Sequence, residues 1–185
     1  MSNQEEKIVM SFLPTCEDYC DFKLAACHAA TQKKEVIIVR IVGFLLVLFG
    51  FVGRFFWQGG FYRNAIFSIM VLIGMIMGFY FDSFQPYFIK RSAISYFKNH
   101  QERIFSKTIL FGKEKFEIQT DRYRSEFFYK DLYQVYENEK LFLFYIGIGE
   151  IYYLPKRSGT QDDCQKIKDI LTQHLKENYR QEGVR

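Results

Sequence analysis

Two long apolar runs joined by a short turn constrain this chain more than any other feature. Between residues 36 and 57 every residue is apolar or Gly except Arg40 and Arg54. Residues 64–81 contain no charge at all. At about 1.5 Å of rise per residue, each run is long enough as a helix to reach across the ~30 Å hydrocarbon core of a bilayer. The pattern predicts a transmembrane helical hairpin over residues 36–85, with spans at 36–57 and 64–81. Residues 1–35 and 86–185 then form the water-facing parts.

Arg40 and Arg54 sit near opposite ends of the first span, about 21 Å apart along a helix, so each is expected to snorkel to its own headgroup layer. Aromatic residues bracket the spans as an interfacial belt: Phe55, Phe56, Trp57, Phe61 and Tyr62 at the turn, and Phe79, Tyr80, Phe84, Tyr87 and Phe88 beyond the second span. Gly59 and Gly60 tighten the turn. Gly74 and Gly78 form a GxxxG spacing, and Gly43, Gly50 and Gly53 mark the first span; small residues let helix backbones approach, within the hairpin or between copies. Basic residues gather outside the turn, with Lys23, Lys33 and Lys34 before it and Lys90, Arg91, Lys98 and Arg103 after it. The positive-inside rule therefore places both termini in the cytoplasm. The polar, acidic start does not resemble a secretory leader, so the first span is expected to act as its own insertion signal.

Ahead of the hairpin, residues 7–13 read as a short strand ended by Pro14. Thr15 and Asp18 have the spacing of a reciprocal helix cap, which predicts a helix over 15–34 leading straight toward the first span. Cys16, Cys20, Cys27 and His28 are better read as small groups on a buried helix face than as metal ligands, because zinc sites use tighter paired spacings. With both flanks in the cytosol the four cysteines are expected to be reduced.

After the hairpin, Pro86 is expected to end the second span region, and residues 90–103 to form a connecting helix. From residue 105 the hydrophobic period becomes two. Segments 105–111, 115–120, 123–130, 132–137, 141–148 and 150–154 read as strands, separated by turns at Gly112, Asp121, Asn138 and Gly147. Such short connections favour antiparallel neighbours. Residues 162–178 place Cys164, Ile167, Ile170, Leu171 and Leu175 on one stripe, a helix that must bury that face against the sheet. The expected fold is α+β: a membrane hairpin and a bent antiparallel sheet, or partial barrel, closed by a C-terminal helix.

The run Tyr129-Lys130-Asp131-Leu132, then Val135-Tyr136-Glu137, residues 141–145, and above all Leu154-Pro155-Lys156-Arg157 resemble the YcxB-like family of bacterial membrane proteins. That resemblance implies a short N-terminal segment, two spans and a cytosolic domain similar to bacterial pleckstrin-homology (PH-like) folds. It also points to Lys107, Lys113, Lys115, Arg122 and Arg124 as the region where such a domain meets anionic headgroups, although Glu114, Glu117, Asp121 and Glu126 interleave with them. Pro155 cannot donate a ladder hydrogen bond and ends the last strand, leaving Lys156 and Arg157 at an exit loop for headgroups or a partner's acidic patch.

No phosphate loop, nucleotide fingerprint, HExxH or GxSxG occurs, and His28, His100 and His174 are scattered. The expectation is a non-enzymatic protein with no cofactor and no metal, whose partners are membrane lipids and a protein or a second copy of itself. A net charge of +4, with Lys and Arg alternating with Glu and Asp, argues against nucleic acid. A bacterial inner-membrane tether for an interaction domain is the leading expectation. An immunity protein against a secreted or membrane-acting toxin is the alternative. A channel or transporter subunit is disfavoured by spans that lack central polar residues.

Overall fold

The computed structural model describes residues 7–31, 33–56, 60–147 and 149–182. Trp57 and Gly59 of the expected turn, and Ile148 of the expected fifth strand, lie outside the described residues. The chain divides into two compact units, residues 27–92 and a discontinuous unit made of 1–26 with 93–185. This partition differs from the three consecutive segments read from the sequence, because the N-terminal strand belongs to the sheet that follows the hairpin.

In the discontinuous unit, β1 (Ile8–Phe12) pairs antiparallel with β2 (Lys107–Phe111) across the whole intervening chain. β3 (Lys115–Thr120) and β4 (Arg124–Phe128) complete a four-stranded antiparallel sheet in the order β1-β2-β3-β4. Alternation sets the register. Met10, Phe12, Ile109, Phe111, Phe116 and Ile118 are buried on one face, and their neighbours look outward.

A second four-stranded sheet holds β5 (Gln134–Glu137), β6 (Leu141–Gly147) and β7 (Glu150–Pro155), with β8 (Tyr179–Gln181) added to the far edge of β5. The order is β7-β6-β5-β8, and the β5–β8 pairing is parallel. The aromatic residues of the two sheets meet: Phe116 lies 5.3 Å and Phe111 6.1 Å from Phe144 between ring centroids. These rings are essentially without solvent exposure, and together they form the core. Helix α5 (Gln161–Leu175) adds Ile167, Leu171 and Leu175, a stripe at four-residue spacing. Among the described residues the sheets do not close into a barrel.

Several boundaries differ from the expected ones for identifiable reasons. Segment 132–137 does not start as a strand, because Tyr129–Asp131 forms a single 3-10 turn and pairing begins only at Gln134. The C-terminal helix stops at Leu175. Lys176 adopts φ +47°, the one positive-φ residue other than Gly among those described, and a short 3-10 turn, Lys176–Asn178, leads into β8. A non-glycine residue held there costs about 1–3 kcal/mol.

α1 (Cys16–Ala30) begins with the expected cap: Asp18 N–H donates to Thr15 Oγ1 at 3.2 Å, and Thr15 N–H to Asp18 Oδ2 at 2.7 Å. It does not run straight on to residue 34. The Thr31 hydroxyl and N–H both donate to the Cys27 carbonyl, at 2.8 and 2.9 Å, and a new helix starts at Lys33.

In the hairpin unit, α2 (Lys33–Phe56) and α3 (Phe61–Phe79) are the two apolar runs. Both are long and apolar enough to cross a membrane. Pro86 does not end the second helix. A π-helical turn, Tyr80–Phe84, widens the helix just before it, Gln85 N–H donates to the Tyr80 carbonyl, and α4 (Gln85–Asn99) carries the helix on through Pro86.

Candidate functional site

Among the described residues the buried charged groups are two carboxylates, Asp18 and Glu137, at 6 % and 4 % exposure. Removing a carboxylate from water is costly unless it is paired and hydrogen-bonded, so these positions show where the structure concentrates its polar interactions. Both take their partners from the Pro155-Lys156-Arg157 corner that the sequence singles out.

Glu137 ends β5. Lys156, just past β7, brings Nζ to 2.6 Å from Oε1, while Lys168 of α5 lies 3.6 Å from Oε2. The Tyr179 hydroxyl of β8 donates to Oε2. One carboxylate thus ties four elements together. Burial works against its charge, but hydrogen bonds from Lys156 and Tyr179 and the two nearby ammonium groups prevail and hold it below the usual carboxylate range. Burial, and then donation to Glu137, push the Tyr179 phenol upward. Lys156 Nζ also sits 4.9 Å above the Phe142 ring. Beside this cluster is an open groove of about 410 Å³ that also takes in Glu139, Gln161, Cys164 and Gln165. The Cys164 thiol, directed at the Lys156 carbonyl 3.6 Å away, is pushed up by burial.

Asp18 is held by Arg157 in a two-point clasp, with Nε to Oδ1 at 2.8 Å and Nη2 to Oδ2 at 2.5 Å. Nη2 also reaches the Leu13 carbonyl at 3.1 Å. Burial again opposes the charge, and the bonds from Arg157 and Thr15 outweigh it, so the carboxyl lies below its ordinary value. Lys140, at the β5–β6 turn, meets Asp21 at 2.8 Å, a second tie between α1 and this corner. No local signal announces either pair, since 139 residues separate Asp18 from Arg157 and 119 separate Asp21 from Lys140.

The five basic residues assigned to headgroup contact fall on the first sheet without forming a single cluster. Lys107 rests 5.1 Å over the Tyr153 ring, and burial lowers its ammonium. Arg122 covers the Phe105 ring at 4.2 Å. Lys115 pairs with Glu126 at 2.7 Å, and Arg124 pairs with Glu117. Lys113 is exposed at the β2–β3 turn, in a groove of about 270 Å³ with Lys7, Leu110 and Phe128. The turn itself is pinned by the Tyr129 hydroxyl, which donates to the Gly112 carbonyl at 2.9 Å.

In the hairpin the glycines divide into two groups. A Cβ on Gly43 would stand 2.8 Å from the Gly74 carbonyl oxygen, and one on Gly74 would stand 2.6 Å from that of Gly43. Gly50 is equally tight, 2.9 Å from the Phe67 carbonyl oxygen. A Cβ on Gly78 would meet nothing within 4 Å, so a side chain there would point into open space, although its backbone N would lie 3.2 Å from a Cβ on Gly43. The span-end arginines have partners on the opposite helix. Arg40 reaches both Asp82 oxygens at 2.6 and 2.8 Å, and Arg54 reaches the Ser68 hydroxyl at 3.0 Å. Asp82 lies on the π turn.

Among the described residues no group of three or more His, Cys, Asp or Glu is placed to hold a metal. The four cysteines are free thiols.

No match was found among curated proteins or among solved structures. A family model described as YcxB-like protein matches residues 111–171, from the end of β2 into α5. That stretch contains Glu137, Lys156 and Arg157 and the residues that carry the resemblance, Leu154-Pro155-Lys156-Arg157 above all, so residues 111–171 are similar to the YcxB-like family.

Proposed function

We propose that this chain is a non-enzymatic bacterial inner-membrane protein. In this reading α2 and α3 form a two-span hairpin with both termini in the cytoplasm, and the hairpin tethers a PH-like domain at the membrane surface. The domain binds a protein partner or a second copy of itself, and anionic lipid assists.

The observation that carries this reading is the exposure of the hairpin. In the most apolar 18-residue windows of its helices only 11 % and 6 % of the residues are buried within the protein. Large side chains such as Phe44 and Phe49 point outward. A contiguous apolar surface of that size is stable only when another apolar phase covers it. The PH-like part of the reading is supported by the order of elements, with strands in two packed sheets and then one terminal helix. It draws further support from the YcxB-like match of residues 111–171. For lipid assistance, the pairing of Lys115, Arg124, Lys156 and Arg157 inside the domain leaves Lys113 as the basic residue of the assigned set best placed to act.

Three measurements test the parts separately. A reporter fused after Arg185 should be active only when it is a cytoplasmic one, and activity confined to an exported reporter would reverse the topology. The full chain should remain in alkali-washed membranes, and its release into buffer would end the tethering reading. Reconstituted into zwitterionic vesicles, the chain should cross-link to its partner less than in vesicles with anionic lipid. Equal yields would remove the lipid from the account.

A further inference from the structure

The outer edge of β5 is covered by β8, which is only three residues long and pairs in parallel. Val135, Tyr136 and Glu137 lie opposite Tyr179, Arg180 and Gln181, and Glu182 N–H donates to the Glu137 carbonyl at 2.8 Å. Without β8 the edge of a central, buried strand would present unpaired backbone groups. This edge therefore requires a strand.

The side-chain anchors belong to the acceptor more than to the clasp. Glu137 is neutralised by Lys156 and Lys168, neither of which belongs to β8, so withdrawal of the Tyr179 hydroxyl leaves no orphan charge. Lys168 Nζ reaches the Gln181 side-chain oxygen at 3.2 Å from its place on α5. The charge balance of Glu137 therefore does not depend on β8. That strand is joined to α5 through Lys176, which is held at φ +47°. A short connection under strain is the kind of hinge that favours exchange of a terminal element between identical chains, since opening relieves the strain and the replacement strand fits by construction.

We infer that the β5 edge is a strand-acceptor site whose partner is the C-terminal segment of a second copy, exchanged reciprocally by opening at Lys176. Each copy gives its β8 to the other's β5, which closes the pair with two-fold symmetry. The inference deepens the self-association arm of the proposed function, and confinement of both copies to one membrane would raise the effective concentration for the exchange.

The test uses two differently tagged full-length copies expressed together, one with Tyr136→Cys and the other with Arg180→Cys. These positions are register neighbours, so a disulfide between the copies forms only when one chain's β8 lies on the other's β5. The expected result, after isolated membranes are oxidised with copper phenanthroline, is a reducible mixed dimer, absent when either variant is paired with the unsubstituted chain. Lys176→Gly, which removes the strain without altering the β5 edge, should lower its yield about fivefold. A single chain carrying both cysteines should close the bond within itself, which verifies the geometry. If that internal bond forms and the mixed dimer does not, exchange is wrong, even where the copies still associate by lysine cross-linking. If Lys176→Gly leaves the yield unchanged, the strained hinge is wrong.

Discussion

The sheet unit and the hairpin unit treat the same residue types in opposite ways. In the sheets, Phe111, Phe116 and Phe144 are at most 1 % exposed and are packed ring on ring. In the hairpin, Phe44, Phe49 and Phe51 are more than 60 % exposed, and close packing is left to glycines. Where water is the solvent, burying phenylalanine is the main driving force and helices can be held apart by bulky side chains. Where lipid is the solvent, an outward phenylalanine loses nothing, and association between helices depends on close backbone approach instead.

The largest effects should come from changes that ignore this difference. Phe144→Ala removes a ring from the centre of the sheet unit and should cost about 3–5 kcal/mol. Phe49→Ala, the same substitution on the outward face of α2, should leave the stability of the hairpin nearly unchanged. Denaturant titration of the detergent-solubilised chain, followed separately by probes in each unit, measures both. A substantial loss from Phe49→Ala would mean that this face packs against protein.

Glycine sharpens the comparison from the other side. Gly74→Leu drives a side chain into the backbone of α2 and should separate the spans at a cost of about 3 kcal/mol. Gly78→Leu, one turn along the same helix but facing open space, should have little effect on the hairpin. Cysteine cross-linking between the spans distinguishes the two variants. If Gly78→Leu instead abolished association between copies while leaving the spans together, its outward face would be an intermolecular contact.

Polar interactions give smaller effects and a pH signature confined to the sheet unit. Arg157→Ala strands the buried Asp18 carboxylate and should cost about 2 kcal/mol, less than for a wholly buried pair because the guanidinium is half exposed. Asp18 and Glu137 both have folded-state values below their ordinary ones. The stability they contribute is therefore fully present above the unfolded value, about 4, and is lost as pH falls through the lower folded values. The thermal stability of this unit should fall as pH drops below about 4. In an Asp18→Asn, Glu137→Gln variant that acid-side slope should flatten. An unchanged slope would mean that these two carboxylates do not carry the acid sensitivity.

Much of this organisation was legible in the residues. The two long apolar helices are visible because uninterrupted apolar runs of that length stand out in the residues, and the strands because alternation survives in segments such as 107–111 and 115–120. The cap on α1 was legible from Thr15 and Asp18 alone. Three features were not. β8 has no apolar alternation, since Tyr-Arg-Gln carries a single hydrophobic side chain, and its partner lies more than forty residues earlier. The Arg157–Asp18 clasp joins opposite ends of the chain, and charged residues at a turn look the same whether they face water or a distant carboxylate. Pro86 is expected to end the second span region, but the wider π turn before it makes room for a residue without an N–H and the helix runs on to Asn99.

The central claim is that lipid solvates one unit and water the other. Spin labels at Phe49 and Ile69 on the two spans, and at Lys113 and Tyr133 on the sheet unit, test it directly in membranes. The account predicts that relaxation at Phe49 and Ile69 responds to oxygen and not to a water-soluble nickel complex, with the reverse at Lys113 and Tyr133. Access of the nickel complex to Phe49 and Ile69 in intact membranes would contradict it.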